Sequence, residues 1–76
     1  MRIDLFLKET RIIKRRTIAK EYCDRGLVVI NSKEVKPSYE VKENDVIEIT
    51  FGAKKLNITA HIDKTGKKEK ASYDVN

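Results

Sequence analysis

Hydrophobic positions along this chain follow two periods. Up to Arg25 they recur at helical spacing. Ile3, Leu5, Phe6 and Leu7 form a cluster that a helix of one and a half turns can bury on one face. Ile18, Ala19, Tyr22 and Cys23 repeat at intervals of three and four residues. That stripe predicts a second helix, starting near Thr10 or Lys14 and running to about Arg25. Arg11, Ile12 and Ile13 lie between the two helices as a tight joint. Gly26 stands where a left-handed residue ends a helix.

After Gly26 the period shortens. Leu27-Val28-Val29-Ile30 reads as a buried strand, Asn31-Ser32-Lys33 as a turn and Glu34-Val35-Lys36 as a short return strand. Pro37-Ser38 breaks the ladder, and Lys42-Glu43-Asn44-Asp45 is a second polar turn. Val46–Phe51 predicts a strand and Gly52-Ala53-Lys54 a turn. From Leu56 to Ile62 the alternation is clean, with Leu56, Ile58, Ala60 and Ile62 inward. From Asp63 onward the chain is polar and Lys-rich, with Tyr73 and Val75 as its possible anchors, and 63–76 reads as a mobile basic tail. The expectation is an α+β domain over 1–62: two N-terminal helices packed on a small, mostly antiparallel sheet.

Composition narrows the function. Seventy-six residues suffice for one small domain. Such a domain buries only about 60 % of its unfolded surface, which disfavours a deep catalytic cavity. One cysteine excludes an internal disulfide. No apolar run approaches the ~18–20 residues of a membrane span. These features predict a soluble, reduced, cytoplasmic protein with no membrane partner. His61 falls on the outward phase of its strand and Cys23 beside the apolar stripe, so no Cys–His pair forms. One Cys and one His are too few for a closed zinc site, and no metal or cofactor is expected. Glu40, Glu43, Asp45 and Glu48 read as solvated acids, and Gly26, Gly52 and Gly66 are too far apart for a phosphate loop. The sequence offers no enzyme.

Charge supplies the positive signal. The net charge is +5, but residues 1–30 carry eight bases against four acids, and residues 31–50 three bases against five acids. Between Arg11 and Lys20 stand Arg11, Lys14, Arg15, Arg16 and Lys20 with no acid among them. Like charges at neighbouring helical positions repel, and a polyanion relieves the cost. Nucleic acid fits best, and an acidic protein surface is the alternative. On a helix Arg16 and Lys20 share a face, with Ile18 and Tyr22 on the packed side. Arg11, Lys14 and Arg15 extend that surface. The Thr17 hydroxyl has two open roles, a bond to phosphate or a bond to its own backbone. No aromatic stands out as a base-stacking platform, Tyr39 being undecided, so recognition by shape and phosphate placement is expected. A DNA-binding helix-turn-helix is disfavoured because strands take up more of the chain than helices.

Five segments agree with a known pattern in order and spacing. They are Arg2-Ile3-Asp4-Leu5-Phe6-Leu7, Lys14-Arg15-Arg16-Thr17-Ile18-Ala19-Lys20, Gly26–Asn31, Val35-Lys36-Pro37-Ser38 and Val41–Ile47. Over about residues 1–62 the chain resembles the S4-type RNA-binding domain, also called the αL motif. It is similar to the stand-alone heat-shock-protein-fifteen type, and within that group to the RqcP-type ribosome-associated quality-control branch. The resemblance implies binding to rRNA of a large ribosomal subunit that carries peptidyl-tRNA. It also implies support of C-terminal alanine tailing by a co-bound factor of the RqcH type. It places Arg2 and Asp4 at the RNA-facing start of the first helix, Asp4 as an orienting carboxylate, and Arg16 at an RNA contact. Asn44 stands where the family usually has glycine. The chain is expected to act as a monomer. Alternatives are a stand-alone rRNA binder in ribosome assembly or stress, and a basic protein-interaction domain.

Overall fold

A computed structural model describes residues 1–76. Helix α1 spans Ile3–Glu9 and α2 Arg16–Asp24; strands follow as β1 Val28–Ile30, β2 Lys33–Glu34, β3 Val46–Phe51, β4 Lys54–Asp63 and β5 Lys70–Val75. The strands form one antiparallel sheet in the order β2-β1-β3-β4-β5. Ile3, Phe6 and Leu7 of α1 and Ala19 and Cys23 of α2 share one core with Val28, Ile30, Ile47, Ile49, Ile58 and Ala60 of the sheet. Each fully buried aliphatic contributes about 1.5–3 kcal/mol by leaving water. The tilted rings of Tyr22 and Phe51, 5.6 Å apart, join the end of α2 to β3.

The helices are joined tightly. The Thr10 hydroxyl donates to the Phe6 carbonyl at 2.8 Å, the Ile13 N–H donates to the Leu7 carbonyl at 3.1 Å, and Ile13 is buried. Arg11 takes the left-handed conformation between them, at φ 62°. Asn44 does the same in the turn before β3, at φ 70°, a conformation asparagine tolerates with little strain. Beside it the buried Asp45 carboxylate accepts from the Asn31 amide at 3.1 Å and the Lys42 N–H at 2.9 Å, closing the long 35–45 connection onto the β1–β2 turn. That connection also reaches α1: the Ile3 N–H donates to the Tyr39 carbonyl at 2.8 Å and the Asp4 N–H to the Pro37 carbonyl at 3.3 Å.

Two expectations are corrected. Residues 70–75 are an ordered strand, with Ala71 and Tyr73 half-buried against the core and register pairs from Asp63↔Lys70 to Ile58↔Val75. The lysines of 63–76 obscure the two-residue alternation of Ala71, Tyr73 and Val75, although the β4 edge that pairs with it lies just before it, across the 64–69 link. On α2, Ile18 is 37 % exposed instead of packed. Ala19 and Cys23 are the buried pair, and Ile18 lies on the flank of that stripe with no element above it.

Candidate nucleic-acid interface

Asp4 is the centre of the arrangement. It lies on α1 among Ile3, Phe6 and Leu7 and has no exposed surface. An unpaired carboxylate there would be costly, and the chain compensates it fully. Oδ1 accepts the Leu5 N–H at 2.7 Å. Oδ2 accepts from Arg2 Nη2 at 3.2 Å and lies 3.3 Å from Arg16 Nε. The two arginines remain 46 % and 42 % exposed, so each keeps further guanidinium N–H groups in solvent. One buried anion thus fixes two half-exposed cations side by side, with their side-chain entropy already spent.

The geometry of α2 explains how Arg16 reaches it. At 3.6 residues per turn, Arg16 and Lys20 stand about 40° apart, bordering Cys23 on the buried stripe. The position is a flank, not the outermost line of the helix, which carries Thr17 and Glu21. Arg16 is exposed as spacing predicts, and its guanidinium is at the same time held by Asp4, the orienting carboxylate that the resemblance implies. Thr17 and Lys20 are exposed. No side chain caps the start of α2, and its first turn holds no acid. Its free N–H groups add to the positive potential of Arg15 and Arg16.

Arg11, Lys14 and Arg15 are exposed on the joint. No carboxylate lies within 4.0 Å of any of these three or of Lys20. Arg11 and Lys14 line a shallow depression together with Lys8 and Glu9 at the end of α1. Lys8 is the residue that sequence reasoning missed, since its pairing with the adjacent Glu9 in sequence masks it. Its place in the last turn of α1 was the available signal. The structure brings all eight expected residues, Arg2, Asp4, Arg11, Lys14, Arg15, Arg16, Thr17 and Lys20, onto α1, α2 and their junctions. Seven are exposed, and the buried Asp4 holds two of them, Arg2 and Arg16.

The other candidate groups lie elsewhere. Cys23 is buried, and burial together with the charges of Asp4 and Asp24 pushes its thiol up to about 11, which removes the thiolate a nucleophile needs. His61 sits on the far side of the sheet region, between Glu43 (Nδ1 to Oε2, 2.6 Å) and Asp74 (Nε2 to Oδ2, 2.7 Å). Those two carboxylates raise its pKa, and the imidazole in turn lowers that of Glu43.

A buried acid holding two arginines beside a one-sign helix start has the charge and geometry that a phosphate contact needs. Comparison with known proteins gives the family. Residues 1–47 match the S4 domain model. The chain belongs to the S4-domain family. This S4-domain chain is 44 % identical to a protein of Halalkalibacterium halodurans named RQC P-site tRNA stabilizing factor, over 99 % of this chain and 89 % of that one. It is 44 % identical to the protein of the same name from Bacillus subtilis, over 95 % and 85 %. A small ribosomal subunit protein uS4 from Gluconobacter oxydans is 38 % identical but matches over 27 % of its own length, which leaves the S4 segment as the shared part. In structure the S4-domain chain superposes on Vibrio cholerae heat shock protein 15 with a TM-score of 0.83 at 21 % identity, over 100 % of this chain and 81 % of that one. That likeness extends the shared fold through β5.

Proposed function

We propose that this S4-domain protein binds the large ribosomal subunit while it carries peptidyl-tRNA, and supports C-terminal alanine tailing of the stalled nascent chain beside a factor of the RqcH type. Large-subunit rRNA and the tRNA supply the phosphates, and the protein acts as a cytoplasmic monomer without cofactor. The observation that carries the reading is the Asp4–Arg2–Arg16 cluster beside Arg11, Lys14, Arg15 and Lys20, four cations with no acid of their own. The names of the H. halodurans and B. subtilis relatives support the choice of tRNA and ribosome over other RNAs.

On this reading Arg2, Arg11, Lys14, Arg15, Arg16 and Lys20 contact phosphate, Thr17 donates its hydroxyl, and Asp4 orients Arg2 and Arg16 without touching RNA. A carboxylate with no exposed surface cannot meet a phosphate and would be repelled by it. Bidentate arginine contacts need a fixed guanidinium plane, and the shared anion provides that. Sedimentation of the endogenous protein through a sucrose gradient tests the proposal. It should travel with large subunits that retain tRNA and nascent chain, and nuclease treatment should release it. Co-sedimentation with precursor particles lacking tRNA would favour a role in assembly and overturn the proposal.

A further inference from the structure

A second concavity, of roughly 720 Å³, opens between the end of β1, β2 and the 35–39 segment. Its walls mix two chemistries. Ile30, Val35 and Tyr39 supply apolar surface, and Lys33, Lys36 and Ser38 supply cations and a hydroxyl. Glu34 also lines it, but its carboxylate is turned over Gly26, where an added Cβ would strike it. Tyr39 is held in place by its hydroxyl, 3.4 Å from Asp45, and by its N–H, which donates to the Lys36 carbonyl at 2.9 Å. The ring is therefore a positioned, half-buried aromatic.

We infer that this groove receives one unstacked nucleotide of the bound RNA, its base against Tyr39 and Val35 and its phosphate on Lys33 and Lys36. The inference rests on the RNA-binding reading above and adds to it a site for a base. Size is adequate, since ligand pockets run from about 300 to 1,000 Å³. The chemistry is complementary: a flat apolar face takes a base of any identity, and two exposed lysines flank it for the phosphate. The segment that walls the groove also adjoins the helix start that presents Arg2, where the Pro37 and Tyr39 carbonyls accept the N–H groups of Asp4 and Ile3. RNA lying on Arg2 can therefore continue along that segment toward the groove. None of the tilted Tyr22–Phe51 pair, the Ile18 flank or the His61 cluster combines an aromatic with cations in a concavity in this way.

The experiment is an NMR titration of the full chain with the trinucleotides UUU and AAA, followed by the same variants on large subunits. Shifts are expected at Ile30, Val35 and Tyr39 with both trinucleotides. Lys33→Glu/Lys36→Glu should weaken trinucleotide binding about tenfold or more, two attractive contacts having become repulsive. Tyr39→Leu should weaken it by about 5- to 150-fold, the range of base–aromatic stacking. Tyr39→Phe, which keeps the ring and loses the bond to Asp45, should lose much less affinity than Tyr39→Leu, and that separates stacking from support of the loop. If Tyr39→Leu fails to fold, the lysine pair decides, since both side chains are exposed. Shifts confined to α1 and α2, or unchanged affinity in the lysine pair, would overturn the inference. So would groove shifts with an extended peptide along the open β2 edge and none with RNA. Loss of large-subunit binding with groove shifts intact would count against the ribosomal reading and leave the nucleotide site standing.

Discussion

Asp4, with no exposed surface, lies 3.3 Å from the Nε of Arg16, the first residue of the second helix. The pair joins α1 to α2 and aims a guanidinium outward in the same contact. Packing and the proposed RNA contact therefore share one residue, which makes Arg16 informative in two measurements at once.

Arg16→Ala should leave Asp4 with Arg2 and the Leu5 N–H, so it should cost about 1 kcal/mol of stability and no more than a modest fall in Tm. RNA binding should weaken by about 1–3 kcal/mol. Arg16→Lys keeps the charge without the planar fork and should sit between the two. Asp4→Asn should destabilise by about 1–3 kcal/mol and also weaken binding, because both arginines lose the anion that fixes them. In the double variant, Asp4→Asn with Arg16→Ala, the binding losses should fall short of additive, since part of the Asp4→Asn loss already runs through the Arg16 guanidinium. Thermal melts and binding isotherms on large subunits measure both quantities. Full additivity in binding would show that Asp4 does not work through Arg16.

His61 ties three segments together: Glu43 before β3, its own strand β4, and Asp74 on β5. Hydrogen bonds to Glu43 and then Asp74 raise its pKa above 6.5. A raised folded value means that the stabilisation is complete below about pH 6.5 and is lost as pH rises through the folded value. Glu43 is lowered from 4.5, first by His61 and then by the Ile62 N–H, so its share persists above 4.5 and is lost as pH falls through its folded value. The β5 hold should be firmest between those limits. Hydrogen exchange of the β4–β5 amides should speed up as pH passes through the raised histidine value, after correction for the intrinsic rate. His61→Gln should flatten that change, and an unchanged profile would show that the cluster does not fasten β5.

Cys23 offers an independent report on the helix pair. Its thiol is buried and raised to about 11, so at pH 8 almost no thiolate meets a reagent in the folded state. A disulfide dye should label it at the rate of local opening of α2, slowly in the wild type. Asp4→Asn should label faster on two counts, a loosened α1–α2 contact and the loss of a charge that disfavours the thiolate. Rapid labelling of the wild type would contradict the packing described.

The helices, the joint at Arg11 and strands β1, β3 and β4 were legible because each is encoded locally, by stripes such as Phe6/Leu7 and Ala19/Cys23 and by the alternation from Leu56 to Ile62. The run of cations from Arg11 to Lys20 was legible as a cluster for the same reason, whereas Arg2 and Asp4 were given by the resemblance to the S4-type pattern. What the sequence concealed depends on partners that only the fold supplies. Arg16 meets Asp4 across 12 residues, and β5 is a strand because β4 offers an edge to it. Asp45 and Asn31, which shape the groove beside Tyr39, are likewise joined across a turn and a loop. Polar residues that look solvated in sequence become fixed once the fold supplies their partners.

Salt dependence separates the local cluster from the overall charge. Five or so phosphate contacts from among Arg2, Arg11, Lys14, Arg15, Arg16 and Lys20 should give a log–log slope of binding against salt of about −3 to −5. Lys14→Ala should reduce that slope by about one, because its cation has no acid partner in the chain and any counterions it displaces are those of the RNA. Lys67→Glu/Lys68→Glu, in the exposed link between β4 and β5, removes more net charge and should still change the slope less. Direct contact decides this: counterion release counts phosphates that are actually paired, and an exposed charge that meets no phosphate is screened over about 8 Å at physiological salt. Isotherms on large subunits at four or five salt concentrations measure the slopes. Equal effects of the two variants would mean that attraction is diffuse, and that the helix start is no more an RNA surface than the link.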